Sequence, residues 1–273
     1  MTPPQTAPQT APQTGPQTGP QTGPQTGPQT GPQTGPQTGP QTGPQTGPTT
    51  GPTIGPRIGP TTGPVIAMLH TVPALAAPLA ELAAEVRPGA RILHFADESL
   101  LQDTIANDGP PPHVLRRLVS YAMYAKESGA GTLLVTCSSI GEAAEQARPL
   151  AELPILRIDE PMAEEAVRAG DRIGVLATLA TTLGPTTRAV QRAASRHGVG
   201  REVVPHLCEG AFDALRGGDP ARHDALVLDG FGRLAGQVDV VVLAQASMAR
   251  IVTEADGGVP VLSSPRSGVG QLA

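Results

Sequence analysis

The chain has 273 residues, 33 of them glycine and 31 proline, and a formal net charge of −5. An acidic balance without any cluster of Lys and Arg argues against nucleic acid or an anionic membrane surface as a partner. Cys137 and Cys208 are the only cysteines, too few and too far apart for a disulfide framework or a zinc motif, so no metal is expected and the two matter, if at all, as thiols.

From Pro3 to about Gly63 the chain is a Gly-Pro-Gln-Thr tract that drifts to Gly-Pro-Thr-Ile and Gly-Pro-Arg-Ile before it stops. It has almost no apolar side chains whose burial would offset the entropy of ordering its backbone, so residues 1–63 are expected to be a disordered arm of extended segments. A collagen helix is excluded because glycine recurs every fourth residue rather than every third. No apolar stretch approaches the 18 residues of a spanning helix, and the opening Met-Thr-Pro-Pro-Gln lacks the pattern of a signal peptide, so the expected location is the cytoplasm.

Beyond the arm, Val65 to Leu69 is a continuous apolar run of the kind found in a parallel strand buried on both faces. Similar runs follow at Arg91 to Phe95, Thr132 to Thr136, Pro154 to Ile158, Arg172 to Ala177, Glu202 to Val204, Val238 to Leu243 and Val259 to Leu262. Helical stretches lie between them; in one, Leu115, Leu118, Val119, Ala122 and Met123 share an apolar face. The alternation predicts an α/β fold of parallel sheet with helices on both faces. A change of half is expected near Ala169-Gly170-Asp171, where a helix ends at glycine and a strand begins. The expected lobes are residues 64–169 and 170–273, with the C-terminal segment returning to the first.

Chemistry in open α/β sheets sits at the carboxyl ends of strands, which directs attention to His70-Thr71, Asp97-Glu98, Cys137-Ser138-Ser139, Thr178 through Thr182, and Gln245-Ala246-Ser247. Cys137 stands between a strand and a helical stretch, where free amide donors and the helix dipole are expected to lower its pKa toward neutrality. A small buried hydrophobe is the other account of it. Asp97-Glu98-Ser99 fits a helix cap better than a site acid.

Thr136-Cys137-Ser138-Ser139 resembles the Cys-Asn-Thr element of the aspartate and glutamate racemases. The run from Asp239 to Met248 resembles the Leu-Gly-Cys-Ala-Gly-Met element of hydantoin racemases, and Ile173 to Thr181 is similar to their Gly-Val-Ile-Gly-Thr-x-x-Thr segment. The resemblance runs in order from Val65 to about Pro265. It implies two pseudo-symmetric parallel-sheet lobes with the substrate between them, and a cofactor-independent racemase or isomerase of an amino acid or related small carboxylic acid. In that scheme a cysteine from each lobe serves one face of the α-carbon, without metal or pyridoxal. Cys137 matches the first cysteine, whereas Gln245 stands where the second is expected, and an amide neither gives nor takes a proton at neutral pH. Cys208, His206 and Glu209 are the candidates for a second acid or base. His70, Thr71, Ser138, Ser139, Thr178, Thr181, Gln245, Ala246 and Ser247 are the candidates for holding substrate, with the Gln245 amide expected to bond a ligand carboxylate. The replaced cysteine keeps two rivals open: a one-cysteine cis–trans isomerase or decarboxylase of a small diacid, and a catalytically silent acid-binding protein. The expected partner is the small acid, and assembly into a homo-oligomer is also open.

Because the arm offers no apolar face, a chain beginning near Gly63 should match the full chain in melting temperature and turnover. A melting temperature several degrees lower for the short form, measured side by side, would contradict this.

Overall fold

The computed structural model describes residues 63–252 and 258–272, so the repeat arm, Gly63 apart, lies outside the described residues. Eight strands and nine α-helices are described. In chain order they are β1 (Val65–His70), α1 (Ala76–Val86), β2 (Arg91–Ala96), α2 (Ser99–Ala106), α3 (Pro112–Glu127), β3 (Thr132–Val135), α4 (Gly141–Ala147), β4 (Ile155–Arg157), α5 (Glu160–Ala169), β5 (Arg172–Ala177), α6 (Ala180–Arg196), β6 (Glu202–Leu207), α7 (Ala211–Arg216), α8 (Pro220–Ala235), β7 (Val240–Leu243), β8 (Val261–Ser263) and α9 (Ser264–Gly270). They form two four-stranded parallel sheets, ordered β2-β1-β3-β4 and β6-β5-β7-β8. The second sheet repeats the order of the first, and this is the two-lobed α/β fold expected above.

Strand periodicity explains how the lobes are covered on both faces. In β1, Ala67 and Leu69 pack into one apolar cluster with α3 and α4, while Ile66 and Met68 pack into another with Leu79 and Ala83 of α1. In the second sheet, Ile173 and Val175 of β5 and Val240 and Val242 of β7 pack against α5 and α6. Val241 and Leu243 turn the other way, onto Phe231 and Leu234 of α8. Each outer strand pairs on one side only, which accommodates Pro205 in β6: it faces Val175 in register without an N–H to contribute. For this reason β6 runs on to Leu207, three residues beyond the apolar run read from the sequence.

The helix α3 buries Val114, Leu118, Ala122 and Ala125, but Met123 is exposed, contrary to the face read from the sequence. Adjacent helical residues are about 100° apart, so a stripe centred on Leu118 and Ala122 turns Met123 away.

The division at residue 169 follows the chain, whereas packing crosses it. Met162, Ala163, Ala166 and Val167 of α5 belong to the apolar cluster of the second sheet. In exchange, Val269 and Leu272, in and just after α9, pack with Ile66, Met68 and Leu79 of the first lobe. Gln271 donates to the carbonyl of Arg157 at 2.9 Å, and Arg87 to that of Leu272 at 2.8 Å. Ion pairs add a second bridge: buried Arg157 binds Asp159 with two bonds of 2.9 and 2.7 Å and also binds Glu145 of α4, whose carboxylate accepts from Arg192 of α6 at 2.7 Å. No helix among the described residues is long and apolar enough to cross a membrane.

The seat of α9 depends on close backbone approach at Gly268, where an added Cβ would lie 2.2 Å from the carbonyl oxygen of Ile158. Backbone cannot yield as a side-chain tip can, so Gly268→Ala should lower the unfolding free energy by roughly 1–3 kcal/mol in urea titration. An unchanged midpoint would mean that α9 is held loosely.

Candidate active site

The two lobes present equivalent strand ends to a common cavity. In the first sheet, Leu69 of β1 is in register with Val135 of β3, and in the second, Leu176 of β5 with Leu243 of β7. One residue further on, the amide of Thr136 donates to Leu69 at 3.0 Å, and that of Ala244 to Leu176 at 2.9 Å. The next residues are Cys137 and Gln245. Both are extended, with φ and ψ of −130° and 118° for Cys137 and −128° and 131° for Gln245, and each caps a 3₁₀ turn. Gln245 therefore stands at the pseudo-symmetric counterpart of Cys137, as Thr178 after β5 does of Thr71 after β1.

The cavity has a volume of about 640 Å³. Thr71, Thr136, Cys137, Ser138 and Ser139 line it from the first lobe, and Thr178, Thr182, Gln245, Ala246 and Ser247 from the second. The Oγ of Ser139 and the Oγ1 of Thr182 are 2.7 Å apart, a buried hydrogen bond across the lobes at the wall of the site.

Cys137 is half-buried, with its thiol beside the hydroxyls of Thr71 and Ser139 and the amides of Ser139 and Ile140. Burial pushes its pKa above the ordinary thiol value, and these donors, each of which favours the thiolate, offset only part of that. The lowering expected from a helix start is thus corrected. A 3₁₀ turn, Ser138–Ile140, separates the thiol from α4, which has only seven residues. A dipole effect is confined to a helix's first turn. The Oγ1 of Thr71 is buried and has no conventional hydrogen-bond partner among the described residues.

Gln245 is committed to the protein. Its Oε1 accepts from the amide of Thr178 at 2.8 Å, and its Nε2 donates to the Oγ1 of Thr178 at 2.8 Å. A backbone amide only donates, so it fixes which end of the side-chain amide faces it. One N–H of Nε2 stays outside this clasp and is free to donate to a ligand.

Five other candidates do not line the cavity. Cys208 is buried in the apolar cluster with Phe231 and Leu234, its sulfur against Gly230 of α8, and burial together with the charge of Asp229 pushes its pKa up to about 11. His206 also faces Gly230. Glu209 is exposed in the turn that follows. All three belong to the end of β6, an edge strand, and so stand one strand away from the cavity. Thr181 is buried, with no partner for its hydroxyl among the described residues, whereas its neighbour Thr182 reaches the site. A strand-end motif cannot separate the two, because α6 has already begun at Ala180 and successive residues diverge by 100°.

His70 is fully buried beside the cavity wall rather than in it. Its Nε2 lies 2.9 Å from Nδ1 of His94, and its Nδ1 lies 3.0 Å from the Oγ1 of Thr136. The Thr136 hydroxyl donates to the carbonyl of Leu69 at 3.0 Å, so it accepts from Nδ1 of His70, and Nε2 of the neutral ring is left to accept from His94. Burial, with a contribution from His94, lowers the pKa of His70 to about 4, which keeps the ring neutral near pH 7. Asp97 accepts from the amide and hydroxyl of Ser99 at 3.2 and 2.7 Å just before α2, and also from Tyr121 and Arg117 of α3, so it ties the start of α2 to α3. Among the described residues no group of three His, Cys, Asp or Glu side chains is placed to hold a metal ion.

Most of the residues not foreseen are apolar. Leu75, Leu79 and Leu82, in and just before α1, Leu101 of α2, and Phe212 and Leu215 of α7 also line the cavity. The stripe of leucines at 75, 79 and 82 was legible as a helical face, but a face that lines a cavity has the same spacing as one that packs in a core.

The model of the Asp/Glu/hydantoin racemase family matches residues 70–272, and the chain belongs to that family. Solved structures share the fold. A glutamate racemase from Bacillus anthracis superposes with a TM-score of 0.59 at 19% identity, covering 77% of this chain and 80% of its own. An aspartate racemase from Picrophilus torridus gives 0.59 at 12% identity, with 77% and 93% covered. An allantoin racemase from Klebsiella pneumoniae gives 0.55 at 17%, with 77% and 86% covered. No curated protein matches the sequence.

The neutral His70 gives the fold a pH dependence of defined sign. Its folded pKa, about 4, lies below the ordinary value of 6.5, so the unfolded chain takes up a proton first as pH falls. Its burial therefore has no penalty above about pH 7. Between pH 6.5 and 4 stability should fall, by up to the order of 3 kcal/mol. Urea titrations at pH 7.5 and 4.5 should show a smaller drop for a folded His70→Gln variant than for the wild type, and equal drops would assign the acid sensitivity elsewhere.

Proposed function

We propose that the protein is a cofactor-independent isomerase of a small carboxylic acid, with Cys137 transferring the α-proton. One observation carries this: two equivalent strand ends face one cavity in a chain of the racemase family, and of the strand-end residues that line it only Cys137 has an ionisable group. In the proposed step the thiolate of Cys137 takes the α-proton, and the electron pair left on carbon is delocalised into the substrate's carboxyl group as an enediolate. Hydroxyls of Thr71, Ser138, Ser139 and Ser247 and the remaining N–H of Gln245 are suited to donate to that oxygen charge. The proton then returns to carbon from the Cys137 thiol. A raised thiol pKa suits this role in one respect, since the thiolate, once formed, is the stronger base.

Gln245 favours a one-cysteine variant of this chemistry over symmetric two-base racemisation. Without a thiol on the second face, the abstracted proton returns to the face it left, unless water supplies the other. Exchange with solvent should then outpace inversion. Cis–trans isomerisation or decarboxylation, each requiring one cysteine, is the second reading, and Gln245 is what supports it.

In heavy water, Cys137→Ser should lose at least about a thousandfold in deuterium incorporation at the α-carbon of an accepted acid, because a hydroxyl is hardly ionised near neutral pH. Cys208→Ala should keep most of the activity, with only a modest loss of stability from its packing role. A folded serine variant with near-normal exchange would sink the proposal.

A further inference from the structure

The residues lining the cavity divide by chemistry as well as by element. Hydroxyls, the thiol and the amide of Gln245 come from the strand ends. The helical contribution is mostly apolar: Leu79 and Leu82 of α1, Leu101 of α2, and Phe212 and Leu215 of α7. The charges among the lining residues are few and mainly negative. Glu81 and Glu85 lie on α1, and the single cation among the described lining residues, Arg266, has a side chain 82% exposed and 4.0 Å from Glu85. The volume of about 640 Å³ would hold on the order of twenty waters, far more room than a four-carbon diacid fills.

Those features make the cavity hospitable to one charge and hostile to a second. A carboxylate among the strand-end hydroxyls meets donors. A remote carboxylate placed among the helices would lose its hydration to leucine and phenylalanine side chains and approach Glu81 and Glu85, with Arg266 already beside a carboxylate. An apolar group in the same place would release water from apolar walls.

We propose that the substrate is a carboxylic acid with its charge confined to the reacting end and a bulky aryl or branched alkyl group at the other, held by the helical wall of Leu79, Leu82, Leu101, Phe212 and Leu215. This rests on the reading of the same cavity as the Cys137 site. It also separates the protein's specificity from that of a site built for a diacid, whose second carboxylate needs donors or a cation that the apolar helical wall does not supply.

Titration calorimetry on the full chain with 2-phenylpropanoate, aspartate and glutamate as probes tests it. The phenyl acid should bind at least about tenfold more tightly than either diacid. Leu215→Asp, at a half-exposed position that tolerates charge, should weaken the phenyl acid by a similar factor, and Leu82→Arg should improve glutamate binding. The proposal is overturned if a diacid binds as tightly as the phenyl acid, if the phenyl acid does not bind at millimolar concentration, or if a folded Leu215→Asp variant binds it unchanged. Deuterium exchange in the bound phenyl acid distinguishes the two claims. Binding without Cys137-dependent exchange would remove the proton-transfer function and leave the apolar specificity standing.

Discussion

The register of two parallel strand pairs governs the site. Because β1 and β3 end together, Thr71 lies beside Cys137. Because β5 and β7 end together in the same way, Thr178 lies beside Gln245. A shift of one residue in either pair would turn the functional side chain to the other face of its sheet, into a packed helix. The register is held by apolar side chains alternating between two clusters on each strand, none of which touches the cavity chemistry directly. The fully buried, two-faced strand is thus what gives the site its accuracy.

The same geometry explains the asymmetry between the halves. In the first lobe the strand-end threonine hydroxyl faces a thiol and is otherwise without a partner among the described residues. In the second, threonine and glutamine satisfy each other through two bonds of 2.8 Å. The first arrangement leaves a hydroxyl and a thiol for a ligand, whereas the second leaves only one N–H of Gln245 and braces the rest of that side chain. A buried unpaired hydroxyl is destabilising unless something binds it, so Thr71 marks the side of the cavity where binding has most to gain.

The lobes are joined by exchange of helices rather than by a simple seam. The helix α5 lies against the second sheet and α9 returns to the first, while Glu145 accepts from arginines of both lobes. Close to the site, the hydroxyls of Ser139 and Thr182 complete the link. These contacts hold the strand ends of both lobes to one cavity, so the placement of Cys137 relative to the second lobe is set by packing at the cavity wall and beyond it.

The amino-acid sequence by itself determined the α/β alternation, the buried strands and the strand-end position of Cys137 and Gln245, because each depends on local periodicity or on a short motif. Tertiary structure alone decided the rest. Cys208 and His206 read as site candidates until β6 is seen at the sheet's edge, and the order of strands in a sheet is not encoded in any one of them. His70 reads as a ligand-binding residue until His94 and Thr136 are found on its two nitrogens. The pKa of Cys137 reverses its expected direction because burial is a property of the whole surroundings, not of the turn that carries the thiol. Likewise the leucines of α1 have the spacing of a core face, and only the placement of α7 across from them leaves a cavity there, since periodicity records which side chains are shielded from water and not what fills the space they enclose.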